Sequence, residues 1–403
     1  MEKEIKKSNY QKTVIIISSA IFAFALLLYA IFLSLKEDDA EVEEIQSSFP
    51  VISESESSQT EQSNEISQEA SLVFNESEET SFVNEESETV SEILPEHGWV
   101  INEYGYTYIY GDCGYEQFNY KSTALERYVN SLNNVANTLP ENIRLFTITV
   151  PVSTTFADIP REIYVNDNFY NQSQTAFVST VGSKLNERFI SVPIVETLEE
   201  KYDANEYVFF RTDKNWTSLG AYYAYRQFCE KADFAPHSLE NHTVTDSYEY
   251  LGSFYSATKA LEMSDNPDSL ICYGTIPSVK TSVTVYDSGM LYTNYTLCNN
   301  PVTVQTAYNV FLGRTAPRYE ISTTATGGSL LIIGDSSAHP LVSFLASHYS
   351  KIDIIDPRSF DKSAEQFLSE HNYDDCIVIC YSTNSISGNF IPLLNTFFGG
   401  SNE

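Results

Sequence analysis

Positive charge is scarce in this 403-residue chain: 23 Lys and Arg stand against 55 Asp and Glu, a formal net charge of −32 at pH 7. A surface of that sign repels phosphate backbones and anionic lipid heads, which excludes nucleic acid as a partner. Acidic cell-wall polymers are poor partners too, unless a cation or a local basic patch mediates. Cysteines are few and far apart (Cys113, Cys229, Cys272, Cys298, Cys376 and Cys380), with no metal-ligand spacing, and the six histidines are scattered. Neither a metal nor a cofactor is expected. Cys376 and Cys380 sit four apart in one expected strand, about 13 Å between Cα atoms, too far for a disulfide. An even count outside the cell permits other bridges, but the simplest reading is buried free thiols. No internal repeat is present.

Charge of either sign is missing altogether from Thr13 to Leu35. As a helix this run spans roughly 35 Å, enough to cross a bilayer. Lys3, Lys6, Lys7 and Lys12 precede it, and Glu37, Asp38 and Asp39 follow. The positive-inside rule makes residues 1–12 a cytoplasmic tail, 13–35 a single-pass signal anchor in the cell membrane, and the remainder extracellular. A cleaved signal peptide fits less well, because the run is long and no small-x-small site ends it. Residues 36–95 lack the apolar content to offset chain entropy. With nineteen acidic residues and one Lys between Lys36 and Glu96, this stretch reads as a disordered, self-repelling linker.

From residue 96 to 403 the apolar and aromatic content stays high. A hairpin is expected over Tyr104–Gly114 and helices over Thr123–Thr138, Gln172–Arg188, Thr217–Lys231, Ser337–Ser347 and Ser363–His371. Strands are expected over Asn142–Val150, Ile190–Ile194, Tyr207–Phe210, Ser329–Ile333, Lys351–Ile355 and Cys376–Cys380. Continuous apolar strands alternating with helices point to an α/β fold whose parallel sheet is covered on both faces. The Thr- and Tyr-rich residues 240–325 suggest an irregular β insertion.

Ligands bind at the carboxyl ends of strands in such sheets. Strand 330–333 runs into Gly334, Asp335, Ser336 and Ser337, which would expose the Ser336 hydroxyl beside the free N–H groups of a helix start. Strand 207–210 runs into Arg211, Thr212, Asp213, Lys214 and Asn215. Positions 213 and 215 share a side of an extended loop, the spacing that lets a carboxylate orient a base beside a serine. Read structurally, the first segment is only a capped turn, Asp213 caps the next helix, Trp216 is core, and Arg211 and Arg358 belong to ion pairs.

Asp213–Thr217 with Gly220–Tyr225, Gly252–Ser256, Asp335-Ser336, Pro340, Phe344-Leu345, His348-Tyr349 and Ile355–Arg358 resemble, in order, the blocks of the DHHW protein family. That family is similar to the SGNH-hydrolase-like domains of bacterial polysaccharide O-acetyltransferases, including those acting on alginate. The resemblance implies a flavodoxin-like α/β sandwich, an outer-surface location, and acyl-ester chemistry on a cell-surface polysaccharide. A membrane-bound acyltransferase partner would supply the acetyl group. It also implies Ser336 as nucleophile and Asp213 as orienting acid, with Arg211, Trp216 and Lys214 near substrate and Gly334, Asp335 and Ser337 forming the turn. Unlike most SGNH enzymes, the acid loop precedes the serine block. The family's His before Trp is Asn215 here, and the preceding His is Lys214. The position of His339 is usually Asn. Three readings follow: a base relocated to His339, one turn beyond Ser336; a Ser336–Lys214 dyad; or an impaired or non-catalytic site, since an amide cannot take the serine proton.

Overall fold

Continuous apolar runs become the middle of an eight-stranded sheet in the computed structural model of the protein, which describes residues 96–401 apart from 103–104, 288, 299–302 and 305. The expected cytoplasmic tail, the 13–35 span and the 36–95 linker lie outside the described residues. Among the described residues, no helix is long and apolar enough to cross a membrane.

A small antiparallel sheet comes first, made of β1 (His97–Asn102), β2 (Gly105–Tyr110) and β3 (Cys113–Tyr115). The hairpin expected over Tyr104–Gly114 is β2–β3, turning at Gly111 and Asp112, and β1 adds a third strand on its other side. The main sheet is built from β4 (Arg144–Val150), β5 (Phe189–Ser191), β8 (Thr281–Asp287), β9 (Met290–Tyr295), β10 (Arg318–Thr323), β11 (Ser329–Gly334), β12 (Lys351–Ile355) and β13 (Asp375–Tyr381). The short pair β6 (Tyr248–Tyr250) and β7 (Asp268–Leu270) stands apart from it. The order is β5-β4-β13-β11-β12-β10-β8-β9; the first five strands run parallel and the last three antiparallel.

Helices cover both faces of the parallel half. They are α1 (Ser122–Thr138), α2 (Gln174–Lys184), α3 (Val195–Asp203), α4 (Ser218–Ala232) and α5 (Phe390–Phe397). Alternation along β4 shows the two sides. Phe146 packs edge-on against Phe228 of α4 at 5.0 Å, while Thr149, pointing the other way, bonds the Tyr128 hydroxyl of α1 at 3.0 Å. This strand and its neighbours are buried along almost their whole length, as a doubly covered parallel sheet requires.

Residues 240–325 are rich in strand, as expected, but only β6 and β7 stand apart from the main sheet. Strands β8 and β9, with β10, extend the main sheet as its antiparallel edge. The junction is fixed by charge: Arg318 of β10 bonds buried Asp353 of β12 at 2.8 Å. The expectation of buried free thiols needs a correction, since Cys272 and Cys298 form a disulfide across this region. Cys113, Cys229, Cys376 and Cys380 are free, the last three buried. Tyr207–Phe210 is not a sheet strand either; it contributes only an isolated bridge between Phe209 and Trp216.

Candidate active site

The carboxyl ends of β11, β12 and β13 lie along one rim because the three strands are parallel neighbours. At that rim β11 ends in Gly334, whose missing side chain lets the chain pass the Ile379 carbonyl of β13. Asp335 then caps a 3-10 turn, Ser336–Leu341. One of its oxygens accepts from the Ser337 N–H at 2.9 Å and the Ser337 hydroxyl; the other accepts from Tyr381 N–H at 3.0 Å and the Asn384 amide at 2.5 Å. The turn continues into a four-residue helix, Val342–Leu345, instead of the single helix expected over Ser337–Ser347. Pro340, which has no N–H to donate, stands inside the tight turn.

The 211–215 loop folds back on itself. Phe210 N–H donates to Asn215 O at 3.3 Å and Thr217 N–H to Val208 O at 2.9 Å, so the apex falls between them. Buried Asp268 anchors it, accepting from the backbone N–H groups of Arg211 and Thr212 and from the Thr212 hydroxyl. After the loop, the Thr217 hydroxyl caps α4 by accepting from Gly220 N–H at 3.1 Å. A side chain at 220 would overlap the Val208 carbonyl.

The two loops meet. Ser336 Oγ–H donates to Asn215 Oδ1 at 3.2 Å. Trp216 ties them further, receiving no solvent: its ring N–H donates to Ser337 O at 3.0 Å and its backbone N–H to the Tyr381 hydroxyl at 3.2 Å. Tyr308 donates its hydroxyl to the Ser336 carbonyl at 3.0 Å. The Ser336 N–H has no hydrogen-bond partner among the described residues, which leaves it as a donor for a developing oxyanion.

Asp213 is buried next to Asn215 but holds the backbone, not the Asn215 side chain. It accepts from Asn215 N–H at 2.7 Å and from Ser253 N–H at 2.5 Å. Gly252 makes this possible, since a side chain there would overlap the Asp213 carboxylate. Burial holds the phenols of Tyr250, Tyr308 and Tyr381 well above their ordinary range, so all three stay neutral, Tyr308 donating to Ser336 O and Tyr381 accepting from Trp216 N–H.

The other expected site residues fall outside this contact. The His339 ring packs edge-on to Tyr319 and tilted to Tyr308, and it makes no hydrogen bond to Ser336. Burial pushes its imidazole down to about 4, against the opposing pull of Asp356 and Asp335. Arg211 is engaged by Asp112 and Asp268, and Arg358 grips Asp356 with two nitrogens. Lys214 is half-exposed at the loop apex. Tyr250, Tyr308, Tyr381 and Asn384 were not anticipated. Among the described residues, no group of three His, Cys, Asp or Glu is arranged to hold a metal.

A mixed α/β fold with a mostly parallel sheet, carrying a serine on the turn after a central strand and an acid loop beside it, defines the class. The chain belongs to the DHHW protein family, whose profile matches residues 34–355. Its fold is similar to that of a DHHW family protein from Eubacterium siraeum (22% identity, TM-score 0.64, covering 77% of this chain and 100% of that one). It is also similar to Bacillus cereus PatB1, solved with a sulfonyl adduct (17%, TM-score 0.55, 74% and 98%). A looser likeness is to the O-acetyltransferase domain of Pseudomonas putida AlgJ (12%, TM-score 0.41, 75% and 100%). At these identities the likenesses speak of fold. No curated protein matches the chain.

Proposed function

We propose that the chain is a membrane-anchored, extracytoplasmic, SGNH-hydrolase-like protein of the polysaccharide O-acetyltransferase or esterase type, with an impaired active centre. The observation that carries this reading is the hydrogen bond from Ser336 Oγ–H to Asn215 Oδ1. A serine becomes a nucleophile when a neighbouring base takes its proton as Oγ attacks the acyl carbon. The Asn215 amide accepts the hydrogen bond but has no basicity to take the proton. The hydroxyl is therefore positioned and the oxyanion donor present, while the proton has nowhere favourable to go. His339 turns its ring to the tyrosines, and an imidazole pushed to about 4 is a weak base. Lys214 is half-exposed, whereas a lysine becomes a base through burial.

The DHHW resemblance supports the substrate side: acetyl from a membrane-bound acyltransferase partner, passed through Ser336 to a cell-surface polysaccharide or to water. Membrane anchoring is supported by the uncharged run from Thr13 to Leu35. An oxidising, extracytoplasmic setting is supported by the Cys272–Cys298 bridge. A second reading, a non-catalytic protein that binds surface glycan or scaffolds an envelope complex, draws on the same amide at position 215.

Acetate release from an aryl acetate and from acetylated polysaccharide by the full chain separates the two. We expect slow turnover that Ser336→Ala removes and His339→Ala leaves in place. Equal rates in wild type and Ser336→Ala would favour the non-catalytic reading. Abolition by His339→Ala would make that histidine the relocated base.

A further inference from the structure

We propose that the N-terminal hairpin and the segment after Gly252 form a trough that binds a polysaccharide strand bearing anionic groups and delivers it to the Ser336 rim. The delivery rests on the acyl-transfer reading above; the binding does not.

Two adjoining hollows, of about 440 and 600 Å³, share Tyr106 and Glu116 as lining residues. Each ends one residue from the candidate site. Thr383 of the first precedes Asn384, which bonds Asp335, and Lys214 of the second precedes Asn215. The first hollow is walled by Trp99 and by side chains that a soluble hairpin would ordinarily turn inward: Tyr106 is 70% exposed and Ile101 65%. Trp99 is held rigid, donating its ring N–H to Asp167 O at 2.7 Å and packing edge-on to Tyr108 and Phe169. A fixed indole and an open phenol suit the apolar C–H faces of sugar rings. Glu116, with one oxygen taken by the Thr383 hydroxyl at 2.9 Å, offers an acceptor for sugar hydroxyls.

Charge names the occupant. In a chain of net charge −32, the described residues lining the second hollow include two ammonium groups, Lys214 and Lys259, and one carboxylate, Glu116. The exposed lining carries one net positive charge, with the buried Asp213 carboxylate behind Ser253, so anionic groups meet less repulsion here than over the rest of an acidic chain.

The chain holds two tryptophans, and Trp216 is fully buried, so ligand-induced change in indole emission reports Trp99. The full chain in mild detergent would be titrated with oligogalacturonate (rings and charge), dextran oligomer (rings alone) and poly(glycerol phosphate) oligomer (charge alone). We expect saturable binding, tightest for oligogalacturonate. Tyr106→Ala should weaken it roughly fivefold and the Lys214→Ala/Lys259→Ala pair roughly tenfold, with unchanged thermal midpoints. Ser336→Ala should bind as wild type does.

Equal affinity for dextran would overturn the charge assignment, and equal affinity for poly(glycerol phosphate) would overturn the sugar platform. No saturable binding, or wild-type affinity in the trough variants, would overturn the site itself. Oligogalacturonate binding without any Ser336-dependent acetate release would leave the trough standing and remove the acyl-transfer reading. Release without binding would do the reverse.

Discussion

Replacing Asn215 by His tests the whole site in one step. The Asn215 carbonyl oxygen already lies 3.2 Å from Ser336 Oγ, within the reach a general base needs. An imidazole on the same backbone reaches at least as far and can accept the proton. Asp213 sits two residues back with one oxygen on the Asn215 N–H, and its remaining lone pairs can accept a ring N–H that turns toward it. General-base assistance is worth about 10²–10⁴ in rate, or about 3–5 kcal/mol of barrier. Against that stands the added volume in a buried position, which costs about 1–3 kcal/mol of stability if the ring cannot turn toward the trough. The assay is acetate release from an aryl acetate by wild type, Asn215→His and Asn215→His/Ser336→Ala, with thermal midpoints alongside. The single variant should gain at least about 10² in kcat/KM, and the double variant should lose that gain. The gain should also rise with pH through the imidazole range, because the neutral ring is the active form. A stable, folded Asn215→His with no Ser336-dependent turnover would refute the view that only the base is missing.

Gly252→Ala should destabilise by about 1–3 kcal/mol, because the new methyl meets the buried Asp213 carboxylate; an unchanged urea midpoint would show that the loop gives way freely. Acid should loosen the molecule through a second cluster. His348 bonds Tyr225 at 2.7 Å, its ring 5.4 Å from His237 and stacked on Phe234, and Cys229 lies 3.9 Å away; buried His242 bonds Gly274 O at 2.8 Å. Burial first, then the neighbouring imidazoles, push His348 down to about 4, and burial lowers His242 too. Unfolded histidines take protons near 6.5 while these stay neutral, so their contribution is full above about 6.5 and is lost as pH falls toward 4. For half-exposed His348 this amounts to about 1–2 kcal/mol after solvent screening. His348→Gln should flatten that part of the pH 7 to 4.5 stability curve, and identical slopes in the two proteins would count against it.

Burial on both faces writes itself into a strand locally, and that is why β4, β11, β12 and β13 were legible as apolar runs. The antiparallel strands β8, β9 and β10 were not. Arg318–Thr323 reads as polar and alternating, and it joins the sheet through the Arg318–Asp353 pair, a partner 35 residues away. The turn after Ser336 was legible, but its shortened helix required giving Pro340 its full weight. At the site, Ser336, Asp213 and Asn215 were found by spacing, whereas Tyr250, Tyr308, Tyr381 and Asn384 arrive from three other segments and carry no local signal. Gly252-Ser253 did carry one, as part of the Gly252–Ser256 block; its role against Asp213 needed coordinates. Cys272 and Cys298 likewise meet only once β8 and β9 have folded back.

Asp213 separates the shape of the loop from the chemistry of position 215. Its oxygens accept from two backbone N–H groups, and neither bond depends on the side chain at position 215. The loop therefore keeps its shape with an amide where the family carries an imidazole. For the same reason, loss of activity in Asp213→Ala would say little about catalysis, since that change leaves the Asn215 and Ser253 N–H groups unpaired, the buried one at about 1–3 kcal/mol. Position 215 is different. Its side chain contributes one hydrogen bond to Ser336 and no scaffold bond among the described residues, so exchanging it alters the proton chemistry while the frame set by Asp213, Trp216 and Asp335 stays in place.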